Sequence, residues 1–546
     1  MKGRFLFLVV AIAGGYSFLF FQLYKIQITK GDYYLARAES QYISSGVLSA
    51  KRGTVYFSDK NGNKMAVAVE KDFPIVYAVP KVVDDAKETY NRLVQIISVL
   101  PQNIQKKLFD KNSSYVLLER RASQDVVDKV NEEKIKGIFV DLQPERFYPF
   151  GTLASHVLGF VGPNTDDNGE SGKYGVEKLY EEKLNGVPGK TEEGKLIQPK
   201  SGDDLLLTID QNIQKEGERI LSDLVKNSAA KSGSFIVEEP STGRILAMGG
   251  YPDFDPNNYS RANVSDFLNP VVQKIYEPGS VIKVITMAAG IDSGKITPQT
   301  TYFDNGFVII SGKRIENHDF KTRGGRGSIT MTNVIENSLN TGAIFAESET
   351  GNETFRNYLA KFGLQNKTGI DLPGEISGSL KPLFASYIPQ VNFATASFGQ
   401  GIAVTPIELI TAVSAIANSG QMMRPYVNAA LEPKTLGQIV NSSTARMVTE
   451  MMISAVDKAG VAKLSGYTLA GKTGTANVPD FKNKTYTDNV INTYVGFAPA
   501  GNPRFIALMK LDEPQDAPQA ATTVVPAFRE LAQFILNYYN VPPDRF

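Results

Sequence analysis

The sequence predicts a mixed α/β (α+β) protein with a single N-terminal transmembrane helix, a middle module of short strands and charged helices, and a C-terminal domain whose roughly five-stranded antiparallel sheet is flanked by helices. Three observations predict this class. An uncharged apolar stretch opens the chain, short alternating strands and charged helical stretches follow, and the C-terminal part pairs strands across tight turns. With 546 residues, of which 42% are hydrophobic, the chain is long enough for more than one domain.

The N-terminal stretch from Phe5 to Tyr24 carries no charge and follows Lys2 and Arg4. About 20 residues, at ~1.5 Å each, span the ~30 Å hydrocarbon core of a membrane. Positive charge before such a helix predicts that residues 1–4 are a cytoplasmic tail, that residues 5–24 are a membrane anchor, and that the rest lies outside. A cleaved signal peptide is the alternative, but the apolar run continues to Phe21, too far beyond Ala13 for a cleavage site there.

Residues 25–200 form the predicted middle module. Alternating residues such as Ile75–Val79 indicate short strands, and charged stretches such as Glu88–Leu100 and Asp125–Lys136 indicate helices with one solvated face. This part of the sequence contains no catalytic constellation.

Residues 203–546 form the predicted C-terminal domain, after which we expect no further module. Runs of apolar residues beside Gly-, Pro- and Ser-rich turns indicate two hairpins, a further strand precedes the second hairpin, and two apolar stretches indicate covering helices. The predicted strands are Ser234–Glu238, Ile245–Gly249, Leu469–Thr475, Thr493–Ala498 and Arg504–Leu511. The clearest predicted helices are Pro406–Asn418 and Val525–Asn537.

Composition excludes several classes of protein. A net charge of +1 argues against nucleic-acid binding, which normally requires an excess of basic residues. Because the chain has no cysteine, disulfides, thiolate catalysis and cysteine-based zinc sites are excluded. His156 and His318 are the only two histidines, which makes a Ser-His-Asp mechanism improbable, and we interpret His156 as structural and His318 as a surface residue. The sequence predicts no metal and no cofactor.

Three short motifs, far apart in the chain, predict one catalytic site: Ser280-Val-Ile-Lys283, Ser338-Leu-Asn340 and Lys472-Thr-Gly-Thr475. A serine hydroxyl is a weak nucleophile and needs a neighbouring base. Three residues further along a helix, Lys283 lies on the same face as Ser280 and can take its proton if it is neutral. A low-dielectric pocket or a second cation, such as Lys472, would keep Lys283 neutral.

The local context of each motif fits this prediction. Glu277-Pro-Gly279 interrupts the chain before Ser280, and the following apolar residues, Val281–Ala289, predict a helix with Ser280 at its N-terminus. Ser338–Asn340 falls in a helical stretch that turns, and Lys472 lies in a strand whose exposed edge can pair with an extended substrate. The basic cluster Lys321–Gly327 lacks the strand–loop–helix context of a phosphate site, so we interpret it as a surface loop.

Taken together, these motifs resemble those of class B penicillin-binding proteins, and the resemblance covers nearly the whole chain. Around the catalytic motifs, the similar stretches are Thr208–Gln214, Pro240–Met248 and Tyr276–Ser280. Upstream, they are Arg52–Gly62, Arg146–Pro149 with Gly151, His156, Gly159 and Gly162, and Gly172–Glu177 with Gly186 and Gly189. Ala394–Gly401, Thr493–Pro499 and Asn340 resemble the septal, cell-division type within this family. Phe57, Ser58 and Lys60 depart from the usual first upstream signature.

The resemblance implies a membrane-anchored peptidoglycan D,D-transpeptidase in the bacterial cytoplasmic membrane, with residues 25–200 as a pedestal. It implies that Ser280 is the nucleophile, Lys283 the base, Ser338 a proton relay and Asn340 a partner of the substrate or of Lys283. Lys472, Thr473, Gly474 and Thr475 would bind the carboxylate of the substrate or of a β-lactam. The backbone N–H groups of Ser280 and Thr475 would form the oxyanion hole. The implied partners are stem peptides, β-lactams, the membrane, a separate membrane glycosyltransferase and division proteins.

Four alternatives remain open at this stage. An elongation-type class B transpeptidase would share every catalytic motif. A β-lactamase would hydrolyse the same serine ester rapidly, and a β-lactam sensor would carry several membrane helices. A non-enzymatic scaffold of the division machinery is the rival of a different class; its catalytic motifs would be expected to have decayed, and here all three are intact.

Overall fold

A computed structural model describes residues 2–29, 31, 34, 50–98, 100, 103–113, 115–164, 169–192, 195–480, 482–483, 485–515 and 519–545. Contacts between residues divide the chain into two compact units. The smaller unit comprises residues 1–53, 69–147 and 185–203, and the larger unit comprises residues 54–68, 148–184 and 204–546. Because both units combine segments that are distant in the chain, the domain boundaries given above stay predictions.

The helices of the described residues occur both singly between strands and in consecutive runs. The helices are α1 (Lys2–Tyr24), α2 (Ala86–Ile96), α3 (Ile104–Phe109), α4 (Gln124–Glu133), α5 (Ser155–Leu158), α6 (Gly175–Leu179), α7 (Glu181–Asn185), α8 (Gln211–Asn227), α9 (Pro270–Gln273), α10 (Lys283–Asp292), α11 (Phe320–Arg323), α12 (Met331–Asn337), α13 (Asn340–Thr350), α14 (Asn352–Lys361), α15 (Gln390–Ala396), α16 (Pro406–Ala417), α17 (Ser442–Ala459) and α18 (Val524–Tyr538).

The strands of the described residues form two five-stranded sheets, one of them entirely antiparallel, and several two-stranded pairs. They are β1 (Val55–Ser58), β2 (Lys64–Ala78), β3 (Val116–Glu119), β4 (Ile138–Phe147), β5 (Val161–Pro163), β6 (Glu170–Gly172), β7 (Lys190–Glu192), β8 (Lys195–Ile197), β9 (Leu205–Asp210), β10 (Ser232–Glu239), β11 (Arg244–Tyr251), β12 (Thr301–Asp304), β13 (Phe307–Ile310), β14 (Lys313–Glu316), β15 (Gly327–Thr330), β16 (Gln421–Met423), β17 (Thr435–Gln438), β18 (Ala470–Asp480), β19 (Thr485–Ala498) and β20 (Phe505–Asp512).

The N-terminal helix α1 begins before the predicted anchor and continues into a π-helical turn, Lys25–Thr29. The segment Gly3–Ile28 covers most of α1 and of this turn, and an 18-residue window of it has a mean hydropathy of 2.0 and is not buried against the rest of the protein. Within the described part of the chain, it is the one helix that is long and apolar enough to cross a membrane. The prediction of an N-terminal apolar helix is confirmed.

In the smaller unit, the second half of β2 pairs antiparallel with β3 and β4. Helices α2, α3 and α4 pack their apolar faces into one core with these strands. Helix α2 ends at Ile96, earlier than predicted, and α4 ends at Glu133, where Lys134 adopts the left-handed conformation that terminates a helix.

The large sheet of the larger unit has the order β11-β10-β20-β19-β18, and every neighbouring pair is antiparallel. Alternate residues of its central strands enter two different cores, because side chains of a strand point alternately to opposite faces. In β20, Phe505 and Met509 pack into the core with α8 and α18, whereas Ile506 and Leu508 pack into the core with α10 and α16. The predicted fold class, with its five-stranded antiparallel sheet covered by helices, is confirmed.

Strand β18 lies at the edge of this sheet, so one of its sides is not paired with another strand. Residues 279–282 form a 3₁₀ turn that packs directly against it. This arrangement brings the first and third sequence motifs together.

Candidate active site

Ser280 lies in the 3₁₀ turn Gly279–Ile282, which continues into helix α10 at Lys283. The predicted helix with Ser280 at its N-terminus is therefore present, but its first turn is 3₁₀ and its α-helical part begins at Lys283. In a 3₁₀ helix, side chains three residues apart eclipse each other, which aligns Ser280 with Lys283 more closely than an α-helix would. Gly279 makes this turn possible because its φ is +56° and a side chain there would lie 2.9 Å from the carbonyl oxygen of Thr475.

Lys283 is fully buried and contacts the second motif. Its Nζ donates hydrogen bonds to the carbonyl oxygen of Ser338 at 2.6 Å and to Asn340 Oδ1 at 2.8 Å, and it lies 3.4 Å from Ser338 Oγ. Burial, and then the positive charge of Lys472, hold the pKa of Lys283 well below its ordinary value. The environment thus favours a neutral amine.

Ser338 ends helix α12 in the left-handed conformation, with a φ of 55°. Such a conformation is unfavourable for a residue other than glycine, and strained positions of this kind cluster at functional sites. The turn places both the carbonyl and the hydroxyl of Ser338 beside Lys283. Helix α13 then begins at Asn340, whose Nδ2 donates to the carbonyl oxygen of Glu316 at 3.0 Å, so both ends of this amide are held.

Lys472 lies on β18, is 3% exposed, and donates from Nζ to Ser338 Oγ at 2.9 Å and to the carbonyl oxygen of Thr473 at 3.1 Å. Burial lowers the pKa of Lys472 to about 7, so this lysine is only partly charged near neutral pH. Ser338 Oγ therefore lies between the two lysines, within hydrogen-bonding distance of both.

The donor count shows what this arrangement can do chemically. A neutral amine has two N–H bonds and one lone pair, and the carbonyl oxygen of Ser338 and Asn340 Oδ1 accept from Lys283. The lone pair then remains available for a hydroxyl proton. In the described part of the chain, Ser280 Oγ makes no hydrogen bond to a protein group.

The substrate-binding residues predicted on β18 lie in different environments. Thr473 is half-buried, Thr475 is exposed, and Thr475 Oγ1 donates to Asn492 Oδ1 at 3.2 Å. Gly474 is buried, and a side chain there would lie 2.7 Å from the carbonyl oxygen of Pro278. The absence of a side chain at Gly474 therefore allows β18 to approach the turn that carries Ser280.

We expect Gly474→Ala to lower the rate of penicillin acylation at least ~10-fold, because the added methyl would push β18 away from Ser280. Gly501→Ala is the matched control, since a side chain at Gly501 would contact nothing within 4 Å. The measurement is the second-order labelling rate of each purified variant, together with its melting temperature. Equal rates in the two variants would contradict this account of Gly474.

A buried polar network that the sequence analysis missed supports Asn340. Asp304 is 1% exposed and accepts from Asn317 Nδ2 at 3.0 Å and from Thr341 Oγ1 at 2.9 Å, and the backbone N–H of Thr341 donates to Asn317 Oδ1 at 3.1 Å. This network holds the N-terminus of α13 in place, and Asn340 is the first residue of that helix. No local pattern identifies these residues, because their contacts join segments up to 37 residues apart.

The two histidines differ in their surroundings. His156 is buried, its Nε2 lies 3.0 Å from the carbonyl oxygen of Asp266, and burial lowers its pKa to about 4. His318 is exposed. Although the residue as a whole is exposed, nearby protein atoms partly desolvate its ring and lower the pKa of His318. Asp319 opposes this shift, and Lys283 and Lys472 reinforce it, so His318 lies within electrostatic reach of the site.

The interpretation of Lys321–Gly327 as a surface loop is wrong for part of this segment. Residues Phe320–Arg323 form the short helix α11, and the Arg326 side chain is only 6% exposed. Arg326 pairs with Asp319 and lies 3.8 Å from Asp304. Two nearby carboxylates explain the burial of this cation.

Comparisons with known proteins agree with the fold. The penicillin-binding protein transpeptidase domain matches residues 233–533, and the penicillin-binding protein dimerisation domain matches residues 47–220. Stage V sporulation protein D of Bacillus subtilis is 30% identical over 96% of this chain and 82% of its own length. Peptidoglycan D,D-transpeptidase FtsI of Escherichia coli K12 is 28% identical over 99% of this chain and 92% of its own length.

Solved structures show the same fold. Penicillin-binding protein 3 of Mycobacterium tuberculosis, in complex with aztreonam, superposes with a TM-score of 0.70 at 24% identity and covers 91% of this chain and 97% of its own. Penicillin-binding protein 2X of Streptococcus thermophilus has a TM-score of 0.72 at 22% identity and covers 91% and 81%, respectively.

These matches define the class as a two-domain protein with a dimerisation domain followed by a transpeptidase domain. The chain belongs to the penicillin-binding protein family, because the transpeptidase domain alone matches more than half of its length. The resemblance inferred from the sequence motifs is confirmed.

Proposed function

We propose that this protein is a membrane-anchored peptidoglycan D,D-transpeptidase that cross-links stem peptides through an acyl-enzyme on Ser280. The observation that supports this most directly is the pair of buried lysines, Lys283 and Lys472, on either side of Ser338 Oγ, with Ser280 one turn before Lys283. Relatives named as peptidoglycan D,D-transpeptidases match over essentially the whole chain.

In the first step, Ser280 Oγ attacks the carbonyl carbon of the penultimate residue of a donor stem peptide. The Ser280 proton passes to the lone pair of Lys283, and the new C–O bond forms a tetrahedral intermediate. When this intermediate collapses, the C–N bond breaks and the leaving amine takes a proton through Ser338 Oγ, which lies 3.4 Å from Lys283 Nζ and 2.9 Å from Lys472 Nζ. The terminal amino acid is released and an ester remains on Ser280.

The negative charge of the intermediate requires donors, which we assign to the backbone N–H groups of Ser280 and Thr475. Ser280 lies in the first turn of a helix, where backbone N–H groups lack intrahelical acceptors. Gly279 lies against the carbonyl of Thr475, so the two segments are adjacent. Losing one such donor lowers rates by ~10²–10³-fold in comparable sites.

In the second step, the amine of an acceptor stem peptide attacks the ester carbonyl. Its proton passes to the lone pair of Lys283 Nζ, the C–O bond to Ser280 breaks, and Lys283 returns that proton to Ser280 Oγ. The products are a cross-linked peptide and the free enzyme, so atoms and charges balance. The unpaired edge of β18 can align the donor peptide by main-chain hydrogen bonds.

Lys472, Thr473 and Thr475 would bind the terminal carboxylate of the donor, and the equivalent carboxylate of a β-lactam. Thr475 Oγ1, which donates to Asn492 in the free protein, would turn toward this carboxylate. A bound carboxylate would also favour the protonated form of Lys472, whose pKa of about 7 leaves it only partly charged otherwise.

We further propose that α1 anchors the chain in the bacterial cytoplasmic membrane with residues 1–4 in the cytoplasm and both domains outside. Lys2 and Arg4 precede the apolar stretch, as expected for this orientation. Since the substrate is assembled outside this membrane, the proposed function requires this topology. Strands to be cross-linked would come from a separate membrane glycosyltransferase.

Two cellular roles are supported by different relatives. The septal, cell-division role rests on Asn340, on the division-type stretches of the sequence and on the 28% identity with FtsI. A role in sporulation is the second candidate, because Stage V sporulation protein D is 30% identical. Depletion in the source organism distinguishes them: filamentation of growing cells supports division, and normal growth with defective spores supports sporulation.

The test of the proposed activity uses the purified full-length chain in detergent and nascent glycan strands with uncross-linked stem peptides. We expect cross-linked peptide dimers, detected by mass spectrometry after digestion of the glycan, with wild-type protein and none with Ser280→Ala. A folded, penicillin-reactive protein that forms no dimers even with its glycosyltransferase would contradict transpeptidation. Full function of Ser280→Ala in cells would favour the scaffold alternative.

Asn340→Asp is expected to shift the pH dependence of penicillin acylation upward. A carboxylate in place of Asn340 Oδ1, 2.8 Å from Lys283 Nζ, stabilises the protonated lysine, so the pKa of Lys283 rises. Because only neutral Lys283 acts as a base, the acid limb of the rate profile should move to higher pH by about one unit or more. Labelling rates from pH 5 to 10 measure this shift.

Asn340→Ala is the control for this prediction. It removes an acceptor that favours protonated Lys283 without adding charge, so the acid limb should not move upward, although the absolute rate should fall. If the acid limb of the rate profile lies at the same pH in Asn340→Asp as in wild type, the ionisation of Lys283 does not determine that limb.

A further inference from the structure

A small cavity of about 80 Å³ adjoins Lys472 in the larger unit. Ser338, Lys472 and Thr473 contribute to its wall, and among the described residues Ser280 does not. The mechanism above leaves this space unused. It lies next to the catalytic lysine without including the nucleophile.

Most of the remaining wall is apolar. Ala455 and Val456 of α17, Ala462 of the following loop and Val525 of α18 line it. These are short side chains from three different segments, and Ala455, Val456, Ala462 and Val525 are themselves almost completely buried. The space therefore suits a ligand with a short aliphatic body.

Tyr494 supplies an unused donor in this wall. It is 3% exposed, and its hydroxyl has no hydrogen-bond partner among the described residues. Its ring packs on Phe528 with a centroid distance of 4.7 Å, and a side chain at Gly471 would lie 2.0 Å from its oxygen, so the hydroxyl is held against the strand. A buried hydroxyl without a partner is unfavourable, and a ligand with an acceptor atom would remove that cost.

The charges around the cavity favour an anionic acceptor. Lys472 and the hydroxyl groups of Thr473 and Tyr494 can all donate. The acidic residue in the wall, Glu336, is already engaged by Lys458 at 2.8 Å and by Ser454 at 2.6 Å. An anionic ligand in the cavity would therefore meet these donors, because the carboxylate of Glu336 is already paired.

We propose that this cavity binds a small aliphatic carboxylate, with its oxygens on Tyr494 Oη and Lys472 Nζ and its aliphatic part against Ala455, Val456 and Val525. We also propose that the bound carboxylate slows acylation of Ser280. The cavity adjoins the proposed substrate site and shares Lys472 and Thr473 with it, whereas Tyr494 and the apolar wall belong to the cavity alone. The binding does not depend on the proposed function, whereas the effect on acylation does.

The effect on acylation follows from the charge of Lys472, which lowers the pKa of Lys283. A carboxylate beside Lys472 offsets that charge, so Lys283 holds its proton more tightly and acts less often as a base. Among the described residues, His318 and the Glu336–Lys458 pair are further titratable groups around the lysines and the cavity. The Glu336–Lys458 pair is neutral overall, and partial desolvation favours the neutral form of His318. Neither therefore lowers the pKa of Lys283 in place of Lys472.

The test uses the purified full-length protein in detergent and propionate as the probe. Line broadening of the propionate methyl signal in NMR measures binding to wild type, to Tyr494→Phe and to Ala462→Leu, which fills the cavity. Tyr467→Phe is the matched control, because Tyr467 is a nearly buried tyrosine outside the cavity whose hydroxyl donates to the carbonyl oxygen of Val541. We expect the affinity to fall about tenfold in Tyr494→Phe, to be lost in Ala462→Leu and to be unchanged in Tyr467→Phe.

Acylation is then measured as the ratio of penicillin labelling rates with and without propionate for each variant. We expect propionate to slow wild type and Tyr467→Phe at least twofold, and Tyr494→Phe much less. Equal binding to all variants would overturn the site, and equal rate ratios with altered binding would overturn the coupling. If no variant is labelled by penicillin at all, the proposed function fails while the binding result still decides the cavity.

Discussion

Ser280→Ala is expected to abolish covalent labelling of the protein by a fluorescent penicillin. The substitution removes the only atom proposed to form the acyl-enzyme, so the residual labelling rate should fall by about 10⁴-fold or more. Ser280 is half-buried in a short 3₁₀ turn and its hydroxyl makes no hydrogen bond to the described residues, so the fold should be retained. Gel fluorescence after incubation with the penicillin measures the labelling.

Ser293→Ala is a suitable control, because Ser293 lies at the C-terminal end of the same helix and, among the described residues, its hydroxyl hydrogen-bonds only to the carbonyl oxygen of Gly290. This variant should be labelled like wild type. Labelling of Ser280→Ala at the wild-type rate would show that another residue is the nucleophile.

Lys283→Ala is expected to lower the acylation rate by about 10²–10⁴-fold, the contribution typical of a general base. The variant also loses the hydrogen bonds that Lys283 donates to the carbonyl oxygen of Ser338 and to Asn340 Oδ1, and it leaves these two oxygens without that donor. Lys283→Met separates the two effects, because methionine fills the buried space without providing a base. Both variants should bind penicillin without reacting at an appreciable rate.

The pH profile of the remaining activity distinguishes a base from a structural residue. Without Lys283, acylation should depend on hydroxide and rise with pH across the alkaline range, while wild type has an acid limb set by Lys283. A wild-type profile in Lys283→Met would remove Lys283 from the role of base.

Much of the larger unit could be predicted from the sequence because its strands alternate between two apolar cores. The hairpin of β10 and β11 and the strands β19 and β20 lie where hydrophobic runs flank Gly- or Pro-containing turns. Helix α16 begins at Pro406, as predicted, because Thr405 caps it and proline fits the first turn. These are local signals, which a single sequence contains.

The parts that could not be predicted depend on contacts between distant segments. The 3₁₀ geometry at Ser280 follows from the close approach of Gly279 to Thr475, 196 residues away in the chain. The left-handed conformation of Ser338 and the network of Asp304, Asn317 and Thr341 are likewise determined by packing between elements. The motif residues could be identified from their spacing in the sequence. The residues and backbone conformations that hold them in place could not.

The protonation of the two lysines also required the structure. The sequence suggested Lys472 as a cation that keeps Lys283 neutral. In the structure, burial is the largest cause of the lowered pKa of both lysines, and it lowers the pKa of Lys472 itself to about 7. Their interaction therefore depends on pH and on bound anions, which spacing alone does not reveal.

The measurement that tests the central claim most directly is the intact mass of the full-length protein after incubation with penicillin, followed by peptide mapping of the adduct. We expect one penicillin per chain, added without loss of atoms, on the peptide that contains Ser280, and slow release over hours. An adduct on any other residue, or no adduct on a folded protein, would contradict an acyl-enzyme at Ser280.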